Sequence, residues 1–371
     1  MNPLTIVLLV VAVCAVAGAG IAAVAWLKAR ERARRYATVN RDLSDQLSQA
    51  YELPQVASLL GVPNRVAMVY NPTKPASDQA LPLVSQACGL FGLAEPKFYA
   101  TDPGDSGLAA VQNAVDDGAQ LVLIAGGDGT VRAAAKILIN TDVQMAIIPT
   151  GTGNLLARNL SLPINDVRAC VYIAFNGRVR PIDVVSLDML HADGTQNNMV
   201  SVVIAGAGFD AEIMHSTSDR LKAAAGWLAY TEAGMRKLRG KRHAVTVSAA
   251  DSEPKRYRVR SAMIANCGVL TGGINMVPDA LIDDGLLDVA LLDPRNLVDW
   301  IQVATATLLP KQKAPRVTTF ATRTCKMVFE EPLVAQIDGD PIPMTKEIVA
   351  ETIPRSLQIR VPLDRTEPIE L

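Results

Sequence analysis

Hydrophobic and polar positions fall into two regimes along this chain. From Pro63 to about Val179, short apolar runs alternate with longer amphipathic stretches. Arg65–Tyr70, Pro96–Thr101, Leu121–Ala125 and Met145–Pro149 read as strands. Leu81–Gly92, Ser106–Asp117, the run after Thr130, and Leu155–Leu160 read as helices. Alternation of this kind predicts a parallel sheet with helices on its faces. After Val179 the runs become strand-like with turns between them: Arg180–Leu190, Asn198–Ala205, Ala244–Ala249, Tyr257–Asn266, Leu287–Leu292, Cys325–Glu330 and Gln358–Val361. Only Asp219–Leu238 and Leu297–Leu309 carry helical spacing there. The expectation is an α/β domain over 63–178 and a mostly antiparallel β-sandwich over 179–371. The C-terminal segment is free to return to the first domain, and the cleft between the two is the expected site.

The N-terminus has its own pattern. Leu4 to Leu27 carries no charge and one hydroxyl, Thr5. A bilayer-spanning helix needs roughly 20 apolar residues. Lys28, Arg30, Arg32, Arg34 and Arg35 follow at once, against Glu31 alone. Positive charge after the apolar run predicts a single-pass anchor over 1–27, the N-terminus outside and the body cytoplasmic. A cleaved signal peptide is the competing reading, but its charge normally precedes the apolar core. Residues 28–62 read as a polar juxtamembrane linker or helix whose basic start either touches anionic headgroups or only enforces topology.

The chemistry concentrates where two strands end. The run Leu121–Ala125 stops at Gly126-Gly127-Asp128-Gly129-Thr130, and a helix follows without a gap. The first amides of a helix are unpaired and attract anions. Glycines there let phosphates approach the backbone. A second unit repeats the design: a strand to Pro149, the loop Thr150-Gly151-Thr152-Gly153-Asn154, and a helix with Asn154 as its expected N-cap. Two such units in succession place both loops on one sheet edge, where α/β ligands bind.

Composition narrows the classes. A net charge of −1 and 4% aromatic residues give no basic, aromatic-laced stripe, so no nucleic acid partner is expected. The five cysteines form no CxxC pair, and His191, His215 and His243 are isolated, which argues against zinc, disulfide and histidine-centred chemistry. No GxxxxGK[ST] loop occurs. Gly206–Ala211 partly matches a dinucleotide fingerprint but lies in the β-rich region, outside any βαβ unit. Four segments keep a plain structural alternative beside the functional one. Asn71-Pro72-Thr73 ends the first strand and is either a turn or a phosphate or ribose contact. Asp279, Asp283, Asp284 and Asp288 make either a hairpin turn or a hard-cation site. Asp338-Gly339-Asp340 is either a solvated turn or a carboxylate that receives a proton from an attacking hydroxyl. The basic run Arg236–Arg242 either caps a helix end or rests on an anionic membrane.

Asn71-Pro72, GGDGT, GTGN, Pro278–Gly285 and Asp338-Gly339-Asp340 occur in the order of the diacylglycerol kinase catalytic domain family, which the chain resembles from Pro63 onward. The resemblance implies a nucleotide-binding α/β domain, a β-sandwich, and ATP-dependent phosphorylation of a lipid hydroxyl, most simply diacylglycerol to phosphatidic acid. By motif position it implies that Asn71, Pro72, Thr73 and Thr101 contact ATP. Gly126, Gly127, Asp128, Gly129 and Thr130 would line its phosphates, with Asp128 holding the catalytic Mg2+ through water. Thr150, Gly151, Thr152 and Gly153 would form the other wall. Leu281, Asp284 and Leu286 would hold a structural Mg2+, the leucines through backbone carbonyls. Asp340 would be the general base. The expected partners are a diacylglycerol-like lipid and the bilayer; a homodimer stays open. Two positions depart from the family: Thr73-Lys74 lacks the usual glycine, and Asp340 stands where a glutamate is usual. Two alternatives stay open beside the lipid kinase. One is a kinase of a soluble acceptor, since NAD kinases share a GGDG loop; the other is a non-catalytic nucleotide- or lipid-sensing membrane protein.

Overall fold

A computed structural model describes residues 63–102, 105–208, 241–250, 252–270, 276–296, 299, 302–303 and 316–363. Leu4–Leu27, the 28–62 linker, the expected helix Asp219–Leu238 and almost all of Leu297–Leu309 lie outside them.

The first half forms β1 (Val66–Tyr70), α1 (Pro75–Leu90), β2 (Lys97–Ala100), α2 (Leu108–Asp116), β3 (Leu121–Gly126), α3 (Asp128–Leu138), β4 (Gln144–Pro149), α4 (Leu155–Asn159) and α5 (Val167–Asn176). The strands run parallel in the order β2-β1-β3-β4. All six residues of β3 are buried, as a strand covered on both faces requires. Alternate side chains face opposite layers: Val66, Met68, Leu121 and Leu123 pack with α1 and α5, and Ala67, Val69, Val122 and Ile124 with α2 and α3. Phe91 stacks on Phe175 at 5.7 Å, closing the first layer.

Two helices differ from expectation. α1 starts at Pro75, six residues before Leu81, because proline suits the first helical turn and Pro82 is tolerated inside it. α5 falls where the sequence predicts no helix; the Asp166 carboxylate accepts the Ala169 amide at 2.9 Å and starts it.

The second half is β5 (Arg178–His191), β6 (Gln196–Ser201), β7 (Ile204–Gly208), β8 (His243–Ala249), β9 (Lys255–Val259), β10 (Ser261–Ala265), β11 (Leu287–Leu292), β12 (Val317–Thr322), β13 (Thr324–Ile337) and β14 (Asp340–Val361). Two layers enclose a core of alternating residues such as Val185, Leu187, Val245, Ile264, Val289, Met327 and Ile348. β13 belongs to both layers. Its first part pairs with β8 and its last three residues with β7, and register shifts between Val328 and Ala335 mark the corner. The expected strands Asn198–Ala205 and Tyr257–Asn266 are each broken in two, at Val202-Val203 and at Arg260, where the chain changes layers. Glycine is needed on β7, since a Cβ on Gly208 would stand 2.3 Å from the Arg260 carbonyl oxygen. The glycines of the rejected dinucleotide fingerprint therefore serve strand packing.

β14 joins the halves. It pairs along its length with β5, and Gln358–Ile359 pair in parallel with β4. Arg360, 1% exposed, secures that junction by donating to Gln144 Oε1 at 2.8 Å and to the Gly177 carbonyl at 2.7 Å. Burial pulls its guanidinium down to about 10.

The expected single-pass anchor with a cytoplasmic body is corrected here. Among the described residues no helix is long and apolar enough to cross a membrane. The longest, α1, has 16 residues and carries Ser77, Asp78, Gln79, Ser85 and Gln86. The apolar run on which the expectation stood falls outside the described residues. The basic run, too, is partly accounted for: Lys241 pairs with Glu331, and Arg242 with Asp293 at 2.6 Å.

Candidate active site

Four segments converge at the carboxyl edge of the parallel sheet. Asn71 follows β1, Thr101 follows β2, Gly126-Gly127 close β3 and Thr150 follows β4. The register holds them level, with Tyr70 opposite Ala125 and Gly126 opposite Pro149. The strand order reverses between β1 and β3, and such a switch point opens a crevice for ligands.

The two glycine loops touch through their backbones. Thr150 N donates to the Gly126 carbonyl at 3.0 Å. A Cβ on Gly151 would lie 2.7 Å from Gly127 Cα, and one on Gly153 would lie 2.5 Å from Asp128 Oδ2. A Cβ on Gly107 would meet the methyls of Thr101 and Thr130 at 3.0 and 3.2 Å, which sets Thr101 beside the first loop. Thr150 Oγ1 is buried and has no hydrogen-bond partner among the described residues. That orphaned hydroxyl and the side-chain-free cradle suit a phosphate.

Asp128 staples the second loop to the first. Its Oδ2 accepts the Asn154 amide at 2.8 Å and its Oδ1 the Leu155 amide at 2.6 Å. Asn154 is therefore not the side-chain cap expected of it. Its φ is +50°, and its side chain turns back to exchange bonds with Gly151 N and O at 3.0 and 2.7 Å. The α4 amides receive a carboxylate from the neighbouring loop instead. Burial raises the Asp128 carboxyl, opposed by those two amides and reinforced by Asp338 and Asp340.

Asp338 and Gly339 form the turn between β13 and β14, with φ of 49° and 91°, and Ile337 faces Asp340 across it. Positive φ at both central residues defines a type I′ hairpin. This turn is not solvated. Asp338 is 1% exposed, and it accepts Ser201 Oγ at 2.8 Å and the amides of Val202, Val203 and Ile204 at 3.1, 2.9 and 3.0 Å. Burial raises its carboxyl, with Arg132 and these donors opposing. Asp340 is half-exposed and lies over the first turn of α3, where a Cβ on Gly129 would stand 3.1 Å from its Oδ2.

Asn71 stays beside this cluster, its amide donating to the Ala125 carbonyl at 3.4 Å. Asn71 Oδ1 accepts both the amide and the hydroxyl of Thr73, at 2.9 and 2.7 Å, so the segment with Pro72 is a rigid turn at the crevice rim. Thr152 is exposed. The Leu281–Leu286 segment is anchored on β5. Asp183, fully buried, accepts Gly285 N at 2.6 Å, and Arg180 pairs with Asp283 at 2.8 Å. Asp284 Oδ1 accepts the Leu286 amide at 3.0 Å, and Leu281 is exposed. Among the described residues no three acidic, histidine or cysteine side chains converge as a metal cluster.

Sequence reading missed Arg132, Asp183 and the depth of Asp338. Arg132 had a signal, since it stands one turn after Asp128 on the same helical face. Asp183 had none beyond being a lone carboxylate in an apolar strand.

The family model for the diacylglycerol kinase catalytic domain matches residues 65–187, and that for the YegS C-terminal NAD kinase beta sandwich-like domain matches 201–361. A "Diacylglycerol kinase" of Bacillus subtilis is 29% identical over 66% of this chain and 78% of its own. A "Probable lipid kinase YegS-like" of Xanthomonas axonopodis pv. citri is 30% identical over 68% and 82%. The crystal structure of a putative diacylglycerol kinase from Bacillus anthracis, 18% identical, superposes with a TM-score of 0.65 over 80% of this chain and 97% of that one, which shows the shared fold. The chain belongs to the diacylglycerol kinase catalytic domain family, among its YegS-like lipid kinases, and is a kinase acting on an alcohol acceptor.

Proposed function

We propose that this kinase transfers the γ-phosphate of ATP to the primary hydroxyl of diacylglycerol, giving phosphatidic acid. The observation that carries the reading is the meeting of three pieces: two apposed glycine loops at a helix start, and the Asp340 carboxylate held over Gly129. The α3 amides and the loop backbone receive the phosphates, where the helix end stabilises negative charge. Thr150 Oγ1 donates to a phosphate oxygen and so gains its missing partner. Asp340 accepts the hydroxyl proton as the oxygen attacks in line. Catalysis of this type is mostly positioning and charge stabilisation.

Magnesium would be held by oxygen donors, Asp128 through water and Asp284 with the carbonyls of Leu281 and Leu286, and would supply charge neutralisation. The Asp284 segment lies in the second domain and acts there on structure, by bracing the loop before β11.

Transfer of label from γ-labelled ATP with magnesium to diacylglycerol, ceramide, sphingosine, a polyprenol and NAD, offered in parallel, tests this. Labelled phosphatidic acid whose rate of formation falls by roughly 100- to 10,000-fold in Asp340→Asn, with a measurable residue, is expected. Label in another lipid would move the substrate, and label in NAD alone would refute lipid kinase action.

A further inference from the structure

Asp340 comes from the β-sandwich, but the group that grips it comes from the phosphate helix. Arg132 Nη2 donates to Asp340 Oδ2 at 2.7 Å, and Nη1 donates to the Ile337 carbonyl at 2.8 Å. Nη1 also lies 4.0 Å from Asp338 Oδ2. Ile337 and Asp340 are the two residues flanking the hairpin turn. One planar fork therefore spans both ends of the turn, a geometry that an ammonium cannot reproduce. The turn beneath is anchored, because Asp338 accepts four donors from residues 201–204. The Asp340 side chain itself is half-exposed, and Arg132 holds it.

The next turn of α3 continues this seam. Lys136 Nζ donates to the Asn198 carbonyl at 3.2 Å, so Asp128, Arg132 and Lys136 form a stripe along one helical face, each bonded outside its own helix. Stability is a poor explanation for the Arg132–Asp340 pair. Arg132 is 14% exposed but Asp340 is 49% exposed, and an ion pair with one end open to water contributes modestly to folding. Position is the better one. With Oδ2 engaged by Arg132, Oδ1 is left for the incoming hydroxyl. The helix that carries Arg132 starts at the phosphate loop, so base and phosphate share one rigid reference.

We propose that Arg132 is a positioning residue for the transfer step, fixing the aspartate relative to the phosphates and offsetting the short reach of Asp340. This rests on the kinase reading above.

The test is a kinetic cycle over Arg132→Gln, Arg132→Lys, Asp340→Asn and the Arg132→Gln/Asp340→Asn double variant, with KM for ATP and for lipid separated from kcat. Arg132→Gln is expected to lower kcat about 100-fold, the effect of a misplacement near 1 Å. KM for ATP should hold within about threefold, because binding is untouched. Arg132→Lys keeps the charge without the fork and recovers only part of the loss. In the Asp340→Asn background, Arg132→Gln should cost less than about threefold, since the two act as a unit. An equal loss in both backgrounds would overturn the proposal, as would a raised KM for ATP at unchanged kcat. If Arg132→Gln does not fold, Arg132→Lys alone and combined with Asp340→Asn gives the same two readouts. Failure of the kinase reading looks different, for then the unaltered protein labels no acceptor.

Discussion

Gly127 and Gly151 stand back to back, so close that a Cβ on Gly151 would lie 2.7 Å from Gly127 Cα. The contact is backbone on backbone, and neither loop can yield by turning a side chain. Gly151→Ala must therefore part the loops. Nucleotide affinity is expected to fall at least about tenfold, with a stability loss of about 1–3 kcal/mol from overpacking. Titration calorimetry with ATP and a thermal melt check both. Unchanged affinity would mean that the apposition does not shape the phosphate site.

Asp128 is a staple as well as a charge. Asp128→Asn replaces one of two acceptor oxygens with a donor that faces a backbone amide. The expected cost is about 1–3 kcal/mol for the stranded amide. Hydrogen exchange at Asn154 and Leu155 should quicken. Protection equal to that of the unaltered protein would show that these amides do not depend on the carboxylate.

Asp288 gives a pH dependence with a defined sign. Burial, then Asp284 and Asp279, push its carboxyl up to about 6 from an ordinary value of 3.8. The folded state then binds the proton more tightly than the unfolded chain. This group's stabilising contribution is full below about pH 4 and is lost as pH rises through about 6. Asp288→Asn should therefore raise the stability at pH 7.5 relative to the parent by on the order of 3 kcal/mol, seen as a higher melting temperature, and lose that advantage near pH 4. Melts across pH 4–8 decide it. If magnesium is held by Asp284, adding it at pH 7.5 should stabilise the parent more than Asp284→Asn.

Asp183 joins two distant loops. Its carboxylate accepts Gly285 N and Arg355 N, both at 2.6 Å, from a fully buried position. Asp183→Ala leaves two amides without partners and should cost about 3 kcal/mol or more. Urea unfolding measures this. A change below about 0.5 kcal/mol, the level of ordinary surface substitutions, would mean that the loops are held by other contacts.

Strand–loop–helix alternation and the two glycine loops were legible in the chain because their causes are local. An apolar run ending in glycine specifies a buried strand that turns, and β3 and β11 lie where their side-chain patterns place them. The Asp338-Gly339 turn was legible for the same reason. α1 reads from Leu81 rather than Pro75 in the chain, since Pro82 suits a first helical turn as well as Pro75 does. β14 was seen only at its last residues, since its edge prolines and the irregularity near Arg355 interrupt the alternation that marks a strand.

The sequence by itself determined the class of most elements and the place of the two glycine loops, because propensity, turn chemistry and periodicity act over a few neighbouring residues. The tertiary structure alone decided which polar side chains meet. Arg132 and Asp340 are 208 positions apart, and Asp338 finds its donors 134 to 137 positions away. Such pairings follow from strand register and layer crossing, and no local pattern records them. The same aspartate reads as a solvated turn in the chain and becomes a buried anchor only when β6 and β7 bring a hydroxyl and three amides to it.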